Sequence, residues 1–173
     1  MARRRLDLNA YRIGWICPLE VEQSAAMDMF DEEHDSLPQK PADHNVYKLG
    51  RINSHNIVVA GLPTTGNCST ATVVAQMRMI FPNLQYGLLV GIRGGVPVWT
   101  ENRTVPLGHV VVGTRTGVHL GTTQYDHGKA KEGSFERTGS MPPPPAMLLN
   151  AARALAVERE RLDQDHSGKM QGE

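Results

Sequence analysis

The chain has no excess of either charge, few aromatic residues and no long apolar run. Of its 173 residues, 18 are basic and 18 are acidic, so the formal net charge is zero. A neutral chain has no global field that would favour nucleic acid or an anionic membrane surface as a partner. No apolar stretch approaches the roughly 20 residues that a membrane-spanning helix needs. We therefore expect neither a nucleic-acid partner nor a membrane partner.

Cysteines and metal ligands are also sparse. Cys17 and Cys68 are far apart and make neither a disulfide framework nor a zinc set. The seven histidines are scattered, and no cluster of His, Cys and carboxylate residues has metal-ligand spacing. We expect no metal and no cofactor, and the low cysteine usage favours a reducing, cytoplasmic location.

The two ends of the chain differ from its middle. Arg3 to Arg5 form a basic cluster without the apolar segment that a secretory signal requires, so residues 1–10 are interpreted as a solvated basic tail. A nuclear-localisation signal is the less favoured alternative. Residues 163–173 are polar and are expected to be disordered. The remaining residues, 11–162, have the length of one domain with a sizeable core.

Apolar runs and helical periodicities alternate along the first half of this domain. RIGWIC (12–17) predicts a buried strand, and Pro18 opens a helix with Val21, Ala25 and Met29 at helical spacing, closing in DEEH (31–34). VYKLGRI and HNIVVAGL, on either side of Asn53–Ser54, predict a hairpin. A second helix is expected from a cap at Ser69 or Thr70 to Pro82, with an apolar stripe from Val73 to Phe81.

The second half continues with strands and one helix. YGLLVGI, LGHVVVGT and VHLGTTQYD predict strands, and AMLLNAARALAVERERL (146–162) predicts a helix after four prolines. Leu88–Leu89–Val90 and Val110–Val111–Val112 are expected to be buried in adjacent strands. The order of elements predicts an α/β fold with a central sheet covered by helices on both sides.

A glycine-rich loop follows the strand YGLLVGI. The spacing of Gly91, Gly94 and Gly95 is not that of the dinucleotide-binding fingerprint, and Pro97 stands where that fingerprint needs a helix. Gly128–Lys129 lacks both the upstream glycine and the Ser or Thr of a phosphate-binding loop. The loop therefore indicates close approach of the backbone to some other group.

Two carboxylates directly follow the first predicted strand. Open α/β sheets place their ligand crevice at the carboxyl ends of strands, so Glu20 and Glu22 lie where an acid–base group is useful. The alternative is that acidic residues favour the first turn of any helix through the helix dipole. Residue types alone leave both interpretations open and favour the second.

Four stretches together resemble the nucleoside phosphorylase superfamily: IGWICPLEVE, LPTTGNCSTA, LLVGIRGGVP and LGHVVVGT, in that order and spacing. The closest branch is the methylthioadenosine/S-adenosylhomocysteine nucleosidase type, in the version carried at the front of multidomain fungal NTPase and repeat proteins. QYDHGK and the FERTG…PPP stretch are further similarities to that version. The resemblance runs from about Tyr11 to Leu155 and implies a mixed, partly barrel-like sheet flanked by helices.

The resemblance also implies a site that binds a small-molecule nucleoside. Glu22 falls at the position where nucleosidases of this family have the glutamate that activates the water molecule attacking the sugar. The implied substrate-binding positions are Leu19, Gly66, Gly91, Ile92, Arg93, Gly94 and Gly95, with the glycine loop against the ribose. Arg93 stands where the family has a small residue, and it either narrows the sugar pocket or points outward.

Other departures restrict the chemistry that the resemblance implies. Glu20 and Leu89 stand closest to the arginines that surround phosphate in phosphorylases, and a phosphate dianion is disfavoured beside Glu20. Hydrolysis therefore fits better than phosphorolysis. The family's second half carries a glutamate for the ribose hydroxyls and an aspartate that protonates the leaving purine, and neither motif is found after Leu155. We expect the domain to be incomplete at its C-terminal side, with an open sheet edge.

Two main functional hypotheses follow. The first is a domain that cleaves purine nucleosides hydrolytically, or a degenerate relative of such an enzyme. The second is a non-catalytic module that binds a nucleoside or another protein, with a homo-oligomer left open. A bare cofactor-binding α/β domain is a distant third hypothesis.

We expect this polypeptide not to release base from nucleosides at an enzymatic rate. Glu22 is available to activate water, but no residue is identified to protonate the leaving base, and loss of a positioned acid costs about 10²- to 10⁴-fold in rate. The measurement is chromatography of free base after incubation with methylthioadenosine, S-adenosylhomocysteine, adenosine and inosine, with and without phosphate. Base release at an enzymatic rate that disappears in Glu22→Ala would contradict this expectation.

Overall fold

The computed structural model describes residues 3–94, 107–114, 121–122, 127–138 and 142–169. Of residues 163–169 it describes the backbone only. The chain divides into two compact units, residues 1–96 and residues 97–173. Among the described residues, no helix is both long enough and apolar enough to cross a membrane.

The first unit is built on a mixed five-stranded sheet. After a short 3-10 helix, Leu8–Ala10, its elements follow in this order: β1 Ile13–Cys17, α1 Glu20–Asp28, β2 Glu32–Glu33, β3 Tyr47–Ile52, β4 His55–Gly61, α2 Asn67–Ile80 and β5 Tyr86–Leu89. The strand order is β2-β3-β4-β1-β5, with β4, β1 and β5 parallel and β2, β3 and β4 antiparallel. The α/β fold class is confirmed, and within the described residues the sheet is open rather than closed into a barrel.

The two helices of this unit cover opposite faces of the sheet, because side chains alternate along each strand. On β4, Ile57 and Val59 join a cluster with Cys17 and with Ala26 of α1. Val58 and Ala60 point the other way, into the larger cluster with the buried face of α2. That cluster contains Tyr11, Ile16, Tyr47, Leu49, Val58, Ala60, Val73, Met77, Ile80 and Phe81.

The predicted hairpin and the predicted apolar stripe of the second helix are confirmed. Strands β3 and β4 pair in register from Tyr47↔Ala60 to Ile52↔His55. Asn53 in the turn has φ 51°, a left-handed conformation that Asn tolerates better than most residues because its short side chain bonds locally. Helix α2 ends at Ile80, where Phe81 is its C-cap and Pro82 prevents continuation.

The prediction for the first helix is wrong in its buried face and in its end. Val21 and Met29 are 62% and 55% exposed, whereas Glu22 and Ala26 are buried, so the buried stripe is displaced by one residue. The helix stops at Asp28, and the acidic DEEH segment contains β2 instead. Glu32 of this strand lies opposite Arg51 of β3, and Arg51 Nε is 3.2 Å from Glu32 Oε2. This ion pair stabilises the pairing of the two strands.

The prediction that two apolar triplets are buried in adjacent strands is also wrong. Leu88 is half-buried, but Leu89 and Val90 are 56% and 44% exposed. The reason is that β5 is the edge strand of the described sheet. The second triplet, Val110–Val112, is 55% to 81% exposed, and residues 107–114 form no strand. Burial of an apolar run requires a neighbouring strand or helix, and the described residues supply none here.

The second unit contains a hairpin and a helix. Strand β6, Gly128–Lys131, pairs antiparallel with β7, Ser134–Arg137, through a turn in which Gly133 has φ 72°. The sequence pattern did not predict this hairpin. Helix α3, Ala146–Lys169, confirms the predicted helix and continues past residue 163, where a disordered tail was expected to begin. The predicted strand VHLGTTQYD lies mostly outside the described residues, and Gly121 and Thr122 within it are not in a strand.

We expect Gly50→Ala to destabilise the first unit by about 1–3 kcal/mol, the usual cost of overpacking. A Cβ atom at Gly50 would lie 2.4 Å from Cδ2 of the Phe30 ring, so the ring would have to move. Gly87→Ala is the matched control, because a Cβ there meets nothing within 4 Å. Its effect should stay within about 0.5 kcal/mol. Urea unfolding of both variants tests the difference, and equal midpoints would contradict it.

Candidate functional site

Three parallel strands end side by side at one edge of the sheet. Leu62 N donates to Cys17 O at 3.2 Å, and Val90 N donates to Ile16 O at 3.3 Å. The segments that follow β4, β1 and β5 therefore leave the sheet next to one another. This carboxyl edge is where open α/β sheets place ligands.

Glu22 is the central side chain at this edge. It lies in the first turn of α1 and is only 9% exposed. Its Oε2 accepts a hydrogen bond from Leu19 N at 2.7 Å, and its Oε1 accepts one from Ile92 N at 2.8 Å. The first bond caps the helix, since Leu19 is the N-cap and Glu22 the third residue of the helix. The second bond ties the helix to the glycine loop after β5.

Gly91 is required by this contact. A Cβ atom at Gly91 would lie 2.6 Å from Glu22 Oε1 and 2.9 Å from Cδ, distances that real Cβ atoms do not reach. The first glycine of the loop is therefore explained by the approach of the Glu22 carboxylate. Gly94 is different, since a Cβ there meets nothing within 4 Å. Among the described residues, none fills the space beside Gly94.

Cys17 lies at the end of β1 and is completely buried. Burial, and secondly the negative charge of Glu22, raise the pKa of its thiol to about 11. The thiol is therefore neutral near pH 7, and Cys17 adds no negative charge next to the Glu22 carboxylate. A neutral thiol is a weak nucleophile, so Cys17 is not suited to covalent catalysis.

Both helices of the first unit begin at this edge. Leu19 caps α1, and Gly66 caps α2 with φ 132°, a conformation that L side chains rarely adopt. The predicted caps Ser69 and Thr70 are wrong, because both residues lie inside α2. Thr70 instead donates from its hydroxyl to Gly66 O at 2.9 Å. Two helix N-termini therefore direct positive dipole ends toward the carboxyl edge.

The structure brings Leu19, Glu22, Gly91 and Ile92 into one group linked by hydrogen bonds and a close approach. Gly66 shares the edge through the segment after β4. Ile92 is 71% exposed even though its amide is bound, and Arg93 and Gly94 are exposed. Gly95 lies outside the described residues. Of the two interpretations of Arg93, its exposure favours a side chain that points outward.

Sequence reasoning missed the contact between Gln23 and Gly61. A Cβ at Gly61, the last residue of β4, would lie 2.7 Å from Gln23 Oε1. The sequence feature that could have predicted this contact is the glycine at the end of a buried strand. Cys68 is exposed in the first turn of α2.

The described residues offer no metal site, and the cavities found among them are lined by residues outside the carboxyl edge. No group of three or more His, Cys, Asp or Glu side chains comes together among them. A cavity of about 80 Å³ is lined by residues that include Leu8, Leu37, Tyr47 and Phe81. It is too small for a nucleoside, since ligand pockets typically measure about 300–1,000 Å³. A second cavity, of about 460 Å³, lies along α3 and is lined by Asn150, Arg153, Ala154, Val157, Glu158 and Arg161. The carboxyl edge is the candidate site because of the contacts of Glu22, not because of a cavity.

Comparison with known proteins gives similarities to parts of longer chains. No family model matches the sequence. A nucleotide-binding leucine-rich repeat (NLR)-like protein of Hyaloscypha variabilis is 40% identical over 158 residues, which are 91% of this chain and 16% of that protein. The chain thus spans about a sixth of this relative's length.

Two solved structures from Helicobacter pylori are similar over about half of the chain. One is a 5'-methylthioadenosine/S-adenosyl homocysteine nucleosidase in complex with a pyrrolidin-3-ol compound, with a TM-score of 0.43, 18% identity and coverage of 56% of this chain and 38% of that one. The other is futalosine hydrolase, with a TM-score of 0.42, 21% identity and coverage of 50% and 35%.

We expect Gly91→Ala to loosen the contact between α1 and the glycine loop. The added methyl group occupies the position of the Glu22 carboxylate, so the hydrogen bond from Ile92 N must lengthen or break. Amide hydrogen exchange at Ile92 should become faster, and the free energy of unfolding should fall by about 1–3 kcal/mol. Gly94→Ala is the control and should change neither quantity. Unchanged exchange at Ile92 in Gly91→Ala would contradict the geometry.

Proposed function

We propose that the carboxyl edge is the nucleoside-binding and water-activating part of a site that hydrolyses the N-glycosidic bond of purine nucleosides. The observation that carries the proposal is the buried Glu22 carboxylate, held against the backbone of the glycine loop at the ends of three parallel strands. Leu19 and residues 91–94 line the ribose in this proposal, and Gly66 lies in the segment that closes over it. The cytoplasmic location is part of the proposal.

Glu22 has the acceptor capacity that the proposed role needs. An ionised carboxylate offers about four lone-pair positions, and the two backbone amides occupy one on each oxygen. The remaining positions can accept a hydrogen bond from a water molecule and take up its proton as the water attacks the sugar. The two backbone bonds hold the carboxylate in one orientation, which is the positioning that general base catalysis requires.

Water rather than phosphate is the proposed acceptor. Glu20 is exposed at the first residue of α1, and none of the ion pairs in the described part of the chain includes Glu20 or Glu22. The dipole of a helix N-terminus favours an anion by roughly 0.3–1 kcal/mol. Two unit like charges about 4 Å apart repel by about 1 kcal/mol even in bulk water, and phosphate carries up to two charges. Repulsion from two carboxylates therefore outweighs the attraction of the dipole.

A second candidate function is a non-catalytic nucleoside-binding or interaction module. The observation that favours it is that both oxygens of Glu22 already accept backbone hydrogen bonds, which is sufficient for a purely structural role. In this case the carboxylate would fix the loop and take no part in a reaction. Removing the charge of Glu22 distinguishes the two candidates, provided that nucleoside affinity and nucleoside hydrolysis are measured separately.

We expect calorimetric titration with adenosine and methylthioadenosine to detect binding that weakens at least about tenfold in Glu22→Gln, a change of about 1.4 kcal/mol. The amide keeps one acceptor oxygen but places an NH2 group opposite the other backbone N–H, so one of the two bonds that connect the helix start to the glycine loop is lost. Asp28→Asn is the matched control, because Asp28 is exposed at the far end of α1. Circular dichroism verifies that both variants are folded.

The outcomes separate the two candidates. Trace hydrolysis by the unaltered chain that disappears in Glu22→Gln while residual binding persists supports the water-activating role. Binding without any hydrolysis favours the binding module. Absence of binding by the unaltered chain contradicts both nucleoside proposals.

A further inference from the structure

His34 is a histidine buried against the core of the first unit. It is 4% exposed, whereas histidine is usually only partly buried. Its Nδ1 lies 3.0 Å from the hydroxyl oxygen of the completely buried Tyr11, and the two rings meet edge to face with centroids 5.8 Å apart. The buried Nε2 atom has no hydrogen-bond partner in the described part of the chain. Such an atom is rare in folded proteins and costs free energy.

The neutral ring of His34 fits these surroundings better than the protonated ring. With its N–H on Nδ1, the neutral ring donates to the Tyr11 hydroxyl oxygen, and Nε2 carries no hydrogen. Protonation adds an N–H at Nε2, where no acceptor lies, together with a positive charge. Burial raises the pKa of Tyr11 to about 12, so near pH 7 Tyr11 is no counter-ion for that charge. An uncompensated buried charge of this kind is strongly disfavoured.

The charged groups that face His34 supply no unused negative charge. Glu32 lies two residues away on the same face of the strand, but its carboxylate already pairs with Arg51. Arg4 adds a second positive charge from the other side, where its backbone forms an isolated parallel bridge with His34. Burial lowers the pKa of the His34 ring, the charge of Glu32 opposes this, and the charges of Arg4 and Arg51 add to it.

The bridge belongs to a short arm, residues 3–7, that lies beside this part of the sheet. Two polar contacts connect the arm to the segment that contains His34. Asp35 N donates to Arg4 O at 2.9 Å, and the side chains of Arg3 and Glu33 form an ion pair that is largely exposed to water. Exposed ion pairs stabilise a protein by about 1 kcal/mol or less. The attachment of the arm is therefore weak.

The two neighbours of His34 differ in how firmly they are fixed. On the side of the sheet, His34 N donates to Leu49 O of β3 at 2.8 Å. On the side of the arm, Leu6 packs against the core cluster but stays partly exposed. The chain is fixed again directly after the arm, where Asn9 O and Ala10 O accept hydrogen bonds from asparagine side chains at 2.9 and 3.1 Å. Segments with few buried contacts open locally at low free energy, so the arm opens more easily than the sheet.

We propose that His34 is an acid-sensitive latch for this arm. While the ring is neutral, the arm stays beside the ring. When the ring takes up a proton, the contact between Arg4 and Asp35 opens, the arm is released, and the ring contacts water, while the sheet keeps its structure. The open form binds the proton because water solvates the charge that the core does not. This proposal is independent of the proposed function.

Proton linkage gives the direction and the size of the effect. A histidine in contact with water, with a pKa of about 6.5, changes from about one tenth to about nine tenths protonated between pH of about 7.5 and about 5.5. The buried His34 binds fewer protons over the same range because its pKa is lowered. The arm is therefore closed above this range, and falling pH shifts the equilibrium toward the open form by about three- to tenfold.

Amide hydrogen exchange of the full chain at these two pH values tests the proposal, with each rate divided by that of an unstructured peptide at the same pH. We expect the protection of the Asp35 amide, which donates to Arg4 O, to fall about three- to tenfold at the lower pH. Low concentrations of urea should leave exchange at Asp35 unchanged, because opening of the arm exposes little surface. They should accelerate exchange at Val59, which is completely buried in β4 and exchanges only when the unit unfolds.

His34→Asn removes the titrating ring while keeping a polar group near the Tyr11 hydroxyl, so the fall in protection at Asp35 should disappear. His44→Asn is the matched control, because His44 is exposed, and it should keep the fall. An NMR titration of the His34 ring in the unaltered chain gives an independent measurement should His34→Asn fail to fold, and it should show a lowered pKa.

Four results would each overturn the proposal. These are equal protection of the Asp35 amide at both pH values, a fall that persists in His34→Asn, and exchange at Asp35 that is as sensitive to urea as exchange at Val59. The fourth is a His34 ring that titrates like an exposed histidine while the Asp35 amide stays protected.

Discussion

The two hydrogen bonds of the Glu22 carboxylate hold the candidate site together. One bond caps α1 through Leu19, and the other fixes the glycine loop through Ile92, a residue 70 positions away in the chain. A buried carboxylate is stable only when its oxygens are satisfied, so the helix start, the loop and the absence of a side chain at Gly91 depend on one another. Removing the Glu22 carboxylate therefore removes the contact that positions both the start of α1 and the glycine loop.

The layering of the first unit explains why these groups meet. Helices α1 and α2 pack on opposite faces, yet each follows a parallel strand directly and therefore begins at the carboxyl edge of the sheet. Their N-termini and the segment after β5 thus reach the same edge from three adjacent strands. The core clusters on the two faces fix this arrangement, since shifting a strand by one residue would turn its apolar side chains to the wrong face.

Strand β5 contributes to the candidate site through its pairing. It pairs in parallel with β1, so the glycine loop that follows it starts beside the end of β1. This position is the basis of the proposed nucleoside site.

The sequence by itself determined the elements whose signals are local. Strand β1, the β3–β4 hairpin, α2 and α3 follow from apolar periodicity, from Asn53 in the turn and from proline at Pro82 and before Ala146. The resemblance placed Glu22, Leu19 and the glycine loop in one site, and the structure brings Glu22 into contact with Leu19, Gly91 and Ile92. Only the tertiary structure decided that Leu89, Val90 and Val110–Val112 are exposed, because burial depends on which strand or helix lies alongside. It also decided why Gly91 is glycine, since the carboxylate that excludes a side chain there comes from a distant part of the chain.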